Sequence, residues 1–83
     1  MITPMFCVYD ITANLFGAPF LATNAPVAIR QFQQELTNEQ VSGPMQTHPQ
    51  DFKLFEVAVF NNEHGRILPH DQPLFLYQGS AKN

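Results

Sequence analysis

Positive charge is scarce in this sequence. Its 83 residues hold four cations, Arg30, Lys53, Arg66 and Lys82, against seven carboxylates, for a formal charge of −3. That balance excludes a domain that neutralises many phosphates, because such binding needs clustered Lys and Arg. Cysteine is reduced to Cys7 alone, so no disulfide framework can form within the chain, and no Cys/His spacing describes a zinc knuckle. Apolar runs are short, none nearing the about 20 residues needed to span a bilayer. The first residues lack the basic and apolar regions of a secretory signal, so a soluble intracellular domain with no membrane association is expected. No glycine-rich phosphate loop is present. His48, His64 and His70 fall in three loop segments without metal-site spacing, and Cys7 lies in an expected strand. An enzyme is therefore not expected, nor is a metal or a cofactor.

Apolar and aromatic residues are abundant. The chain is 45% hydrophobic and 13% charged, with eight Phe and two Tyr, which argues against a disordered polar tail. Its length allows one small domain, 1–83, burying roughly 60–65% of the surface exposed when unfolded. The ordered core is expected over about residues 5–77, with a frayed tail at 78–83.

Breakers divide the chain. Met5 to Tyr9 is rich in β-formers, and Asp10 to Asn14 reads as a turn. Leu15-Phe16 and Phe20-Leu21 resume the apolar pattern around Gly17 and Pro19, as expected of a bent edge strand. At Asn24-Ala25-Pro26 the sequence signals a helix start, since Asn24 can cap free amides and Pro26 sits where no N–H is needed. Ala25, Ala28, Ile29, Phe32 and Leu36 then recur at helical spacing, predicting a helix over about 25–36. Asn38 to Asp51 has no periodicity and reads as a long loop, a kind often functional. Within it, Asp51 is a candidate to cap a turn or accept a bond from His48. Phe52 to Phe60 is the strongest strand, apolar on both faces as a central strand should be. Asn61 to Gly65 reads as a hairpin loop, Arg66 to Leu68 as its return, and Leu74 to Tyr77 as a further short strand after a break at Pro69 to Pro73.

The resulting order, β-β-α-β-β with room for one more β, describes an α+β fold of two layers, a single helix on an antiparallel sheet of four to five strands. One helix can cover only one sheet face. Phe52, Leu54, Ala58 and Phe60 are assigned to one side of the central strand, and Phe55, Val57 and Val59 to the other. The second set is left uncovered and is the expected interface of a homo-oligomer, at least a dimer.

Val8-Tyr9-Asp10, Pro19-Phe20, Ala28-Ile29-Arg30-Gln31-Phe32, the run His48-Pro49-Gln50-Asp51-Phe52-Lys53-Leu54-Phe55-Glu56-Val57 and Gly65 occur in an order that resembles the small non-structural protein of gokushoviruses, tailless microviruses of bacteria with circular single-stranded DNA genomes. The similarity covers roughly Met5 to Leu68. It departs from the family pattern at Ala58, where Gly is usual, and near Val59, where an acidic residue is usual. The resemblance implies a non-structural role in viral DNA replication in the host bacterial cytoplasm, with single-stranded DNA as a supposed ligand. It supplies no catalytic residues.

Two functions fit. Aromatic rings on a small sheet can stack with unpaired bases at about 1–3 kcal/mol per base, whatever the sequence. Arg30, Lys53, Arg66 and Tyr9 are the candidate nucleic-acid-facing residues, although so acidic a chain can bind only weakly and with a shallow salt dependence. The alternative is a homo-oligomeric adaptor that contacts viral or host replication proteins through its apolar face.

Overall fold

The computed structural model describes residues 1–80. It is an α+β fold with one main helix and a curled antiparallel sheet. Its elements are β1 (Ile2–Asp10), β2 (Leu15–Phe16), β3 (Phe20–Leu21), α1 (Ala25–Leu36), α2 (Pro44–Thr47), a 3-10 turn (Pro49–Asp51), β4 (Phe52–Asn61) and β5 (Arg66–Gln78). The sheet order is β2-β1-β4-β5, and β3 shares the outer edge of β1 with β2.

Local chemistry sets the boundaries. Asn24 accepts the Val27 amide at 3.0 Å through Oδ1, and Pro26 sits in the first turn of α1. In the β1–β2 turn, the Asp10 carboxylate accepts the amides of Thr12 and Ala13 at 3.0 and 3.1 Å. Asn14 closes that turn with φ 59°, a left-handed conformation that Asn tolerates better than most residues. Gly65 takes φ 65° in the β4–β5 turn. The expected edge strand is two short pieces, β2 and β3, separated by Gly17, Ala18 and Pro19.

The core lies between α1 and one sheet face. Phe6 and Leu54 are fully buried there with Ala22, Ala28, Phe32, Leu36 and Phe52. Phe32 meets Tyr77 of β5 edge-on at 6.0 Å between ring centroids, and Gln33 Nε2 donates to the Tyr77 hydroxyl at 2.8 Å. The long 38–51 segment folds back on this layer. Gln46 Nε2 donates to the Glu35 carbonyl at 2.8 Å, and Pro49 is buried.

Several expectations need correction. The fold carries a second helical turn, α2, and a 3-10 turn in a segment read as loop. Arg66 to Leu68 and Leu74 to Tyr77 are not separate strands but the two ends of β5. Between them His70–Pro73 forms an excursion opposite Val57, bounded by the pairs Ala58↔Pro69 and Glu56↔Leu74. The His70 Nε2 and Glu56 Oε2 atoms lie 2.7 Å apart across its base. Asp51 does not bond the His48 side chain. Its carboxylate accepts from Thr12 Oγ1 at 3.2 Å, and its carbonyl accepts the Ile11 amide at 2.9 Å.

β1 starts at Ile2, ahead of the expected 5–77 core, and residues 78–80 of the expected tail fall within the described structure. Gly79 is buried and donates to the Phe52 carbonyl at 2.8 Å, while Gln78 Nε2 donates to the Gln50 carbonyl at 2.9 Å. The rest of that tail, 81–83, lies outside the described residues.

The face assignment changes for one physical reason. Met5 pairs with Ala58 but Phe6 pairs with Glu56, so Val57 is an unpaired bulge residue. A bulge inserts one residue and shifts the alternation that follows. Phe55 shares a face with its partner Cys7, away from α1. Beyond the bulge Ala58 and Phe60 join that same face through Met5 and Thr3, and Val59 moves to the helix side through Pro4. Phe55, Val57 and Val59 therefore do not form one surface.

Two substitutions test the packing. Leu54→Ala is expected to cost about 2–5 kcal/mol in urea unfolding, as for other large-to-small changes in a sealed core. At Gly79 an added Cβ would lie 2.2 Å from the Pro49 carbonyl oxygen and 2.8 Å from that of Phe52. Gly79→Ala should therefore destabilise clearly, whereas Gly17→Ala, whose Cβ would meet only the Val8 carbonyl oxygen at 3.5 Å, should not.

Candidate functional site

The sheet face opposite α1 carries a row of rings, one from each strand of the path. Tyr9 of β1 pairs with Phe16 of β2, and Phe55 of β4 pairs with Phe75 of β5, so alternation sends all four side chains to the same side. Ring centroids lie 4.7 Å apart for Tyr9–Phe16, 5.5 Å for Phe16–Phe55, 6.1 Å for Tyr9–Phe55 and 5.7 Å for Phe55–Phe75. The contacts are tilted or edge-on, as the ring quadrupole favours. Tyr9 and Phe55 are half-buried at the centre of the row. Phe16 and Phe75 at its ends are 45% and 56% exposed. Open π-surface is thus concentrated at the two rims. The Tyr9 hydroxyl donates to Asn14 Oδ1, fixing the ring against the β1–β2 turn.

The charged candidates separate. Lys53 pairs with Tyr9 across β1 and β4, so its ammonium belongs to the ring face. Arg30 projects from α1 on the opposite side. It is exposed, makes no ion pair among the described residues, and borders a cavity of about 300 Å³ with Gln33, Gln34, Thr37 and Tyr77. Arg66 pairs with Asn61 at the far end of the sheet, and strand alternation places it with Ile2 and Val59 on the helix side. Of the four expected nucleic-acid contacts, Tyr9 and Lys53 come together, while Arg30 and Arg66 lie on the other face, far from each other along it. Phe16 and Phe75 are two of the eight Phe of the sequence but not among those four. The signal that singles them out is cross-strand register, which pattern along a single strand does not contain.

Beyond the reach of α1, the ends of β1, β4 and β5 form a three-stranded arm. Ile2, Ile67 and Leu68 are exposed on it, and the N-terminal ammonium pairs with Glu63 at 2.8 Å at its tip. The arm has apolar groups on both faces and no helix on either.

Cys7 pairs with Phe55 beneath the ring row and is buried. Burial pushes its thiol up from the ordinary value of 9.0, because the thiolate loses solvation. No three His, Cys, Asp or Glu side chains among the described residues form a metal-holding group, and no helix among them is long and apolar enough to cross a membrane.

A thiol reagent should accordingly label Cys7 slowly in the native protein and rapidly in denaturant. Since the folded state holds the proton more tightly, the thiol's stabilising contribution is complete below the unfolded value near 9.0 and is lost as pH rises through the folded one. Unfolding midpoints should fall more steeply with alkaline pH for the native chain than for Cys7→Ala.

Comparison with known proteins adds one finding. No curated protein and no solved structure matches this chain. A family model, described as Phage ORF5 protein, matches residues 3–82. The match takes in both the ring face and the helix that packs behind it, and on that extent the chain belongs to the Phage ORF5 protein family.

Proposed function

We propose that this chain is a non-structural accessory protein of a single-stranded DNA phage that acts in viral genome replication in the bacterial host's cytoplasm, by weak single-stranded DNA binding on its helix-free sheet face. The observation that carries the reading is the row Phe16-Tyr9-Phe55-Phe75 with Lys53 beside it. Membership of a phage family supports the viral part, and the motif resemblance is the support for a gokushovirus source. Rings spaced at the strand interval, exposed at both rims, offer stacking surfaces that accept any base. Lys53 can meet one phosphate. Affinity must then come from stacking and not from counterion release.

The adaptor reading keeps its own support in the arm, where Ile2, Ile67 and Leu68 present apolar surface to solvent. Such surface suits a viral or host replication protein better than it suits DNA.

A labelled single-stranded oligonucleotide titrated at two salt concentrations distinguishes the readings. Binding should be weak. The slope of log K against log salt should be about −0.7 per phosphate neutralised, and Lys53 alone supplies about one per chain. Phe16→Ala with Phe75→Ala should weaken binding by about 1–3 kcal/mol per ring lost from the stack, and Arg66→Ala should leave it unchanged. No binding at low salt would sink the DNA reading. A protein partner retained in nuclease-treated pull-downs from infected cells would then favour the adaptor.

A further inference from the structure

The ring row is part of a longer apolar face. Cross-strand register sets three successive rows on the side opposite α1: Cys7-Phe55-Phe75, then Met5-Ala58-Pro69, then Thr3-Phe60-Ile67. Leu21 of β3 extends the middle row through its pair with Met5. Phe75 and Ile67 are each 56% exposed, and Leu21 is 47% exposed. No paired strand position on this face carries a carboxylate, in a chain that has seven. Lys53 is the one charge among those positions, and it lies at the end of the face in the row of Tyr9. The base of the His70–Pro73 excursion is held away from this surface, because His70 meets Glu56 on the helix side. Of the residues expected at an oligomer interface, Phe55 is here and Val59 is not.

The rows are symmetric about the middle one. Cys7 and Thr3 stand two residues to either side of Met5 on β1, and both outer rows end on β5 in a large exposed apolar side chain. We propose that a second copy of this chain seats face to face on this surface, head to tail, with the two-fold axis along the Met5-Ala58-Pro69 row. Phe55 and Phe75 then cover the partner's Phe60 and the partner's Ile67, and symmetry supplies the reverse, as a self-complementary surface requires. Small Ala58 and adaptable Met5 at the centre let the sheets reach the about 10 Å spacing of an aligned sandwich. Lys53 comes over the tip of the partner's arm, beside the partner's Glu63. In each chain that carboxylate also holds the N-terminal ammonium at 2.8 Å. These groups stay at the wet rim, so no unpaired charge is buried. A face three to four strands wide and as long as the ten residues of β4 offers about 500–600 Å², at about 4.8 Å between strands and 3.3 Å per residue. Two copies bury about 1,000–1,200 Å², the lower limit for a specific pair, so association reverses on dilution. The contact hides Phe55 and Phe75. The chain thus masks its own stacking row, and unpaired nucleic acid must open the pair to reach it. The pairing stands without the stacking reading, whereas the masking rests on it.

Sedimentation of the full chain across a dilution series, with two variants, tests the pairing. The wild type should pass reversibly from 9.4 kDa to twice that mass. Ile67→Gln keeps the net charge and sets two unpartnered amides into each dimer, so it should weaken association by about tenfold or more. Leu74→Gln, on the helix side of the same strand, should leave association unchanged. A zero-length carbodiimide should join Lys53 to Glu63. Within one chain these residues lie at opposite ends of β4, about 30 Å apart, so the bond can form only between copies paired head to tail. A strictly monomeric wild type would overturn the proposal and leave the face to another occupant. So would a dimer that gives no Lys53–Glu63 product, or one that Ile67→Gln does not weaken. Should Ile67→Gln fail to fold, the cross-link alone decides. For the masking, a labelled unpaired oligonucleotide should convert the wild-type dimer to monomer. It should also bind Ile67→Gln more tightly than the wild type, in proportion to the dimer removed. Binding to the intact dimer as tight as to the variant would overturn the masking. An oligonucleotide that binds neither form sinks the stacking reading, while the mass and the cross-link still decide the pairing.

Discussion

A mismatch of lengths governs this structure. α1 has twelve residues and is about 18 Å long at 1.5 Å per residue. β4 has ten, spanning about 33 Å at 3.3 Å per residue, and β5 has thirteen. One helix therefore covers one face of the sheet for little more than half its length. The whole molecule is 42 Å long and only 17 Å in its thinnest dimension. A sealed core forms where helix and sheet overlap, around Phe6, Phe32 and Leu54. Much of the remaining apolar surface sits on the far face or on the arm. The ring row and the exposed arm are two consequences of the same shortage of cover.

The bulge at Val57 decides which residues fall on which side of that shortage. By moving Ala58 to the face of Cys7 and Val59 to the other, it breaks what would have been a continuous Phe55-Val57-Val59 stripe. Another irregularity, the His70–Pro73 excursion of β5, sits opposite the same residue, and the Glu56–His70 pair spans it. Both neighbours of β4 thus change register at the boundary between the helix-covered part of the sheet and the arm. The two parts can twist differently there, consistent with the stronger local twist that bulges bring.

What could be read from the sequence follows from which information is local. The helix was legible, because Asn24, Pro26 and the spacing Ala25-Ala28-Ile29-Phe32-Leu36 act within one or two turns. The Asp10–Asn14 turn and the Gly65 turn were legible for the same reason. The central strand declared itself by being apolar on both faces. The bulge left no mark, since Glu56-Val57-Ala58 alternates acceptably in either register and only pairing with Phe6 resolves it. The continuity of β5 was hidden by Pro69 and Pro73, which punctuate a loop and an edge strand alike. For the candidate site, the aromatic richness was visible but its selection was not. Eight Phe look equivalent along the chain, and the sheet buries Phe6, Phe32 and Phe52 while leaving Phe16 and Phe75 open.

Charge sets the character of any ligand that the ring face takes. With Lys53 as the one lysine or arginine on that face among the described residues, a bound strand is held by its bases and barely by its backbone. Double-stranded DNA hides its bases in the stack and presents phosphates, so on the proposed stacking reading this surface would discriminate against duplex without any dedicated contact. Folded RNA stems are disfavoured for the same reason, and unpaired segments of either nucleic acid are not. A net charge of −3 works in the same direction, repelling the denser phosphate array more strongly than the sparser one. Acidity and aromaticity, opposed as arguments about phosphate binding, agree on the proposed reading, in which the surface would take only nucleic acid already opened.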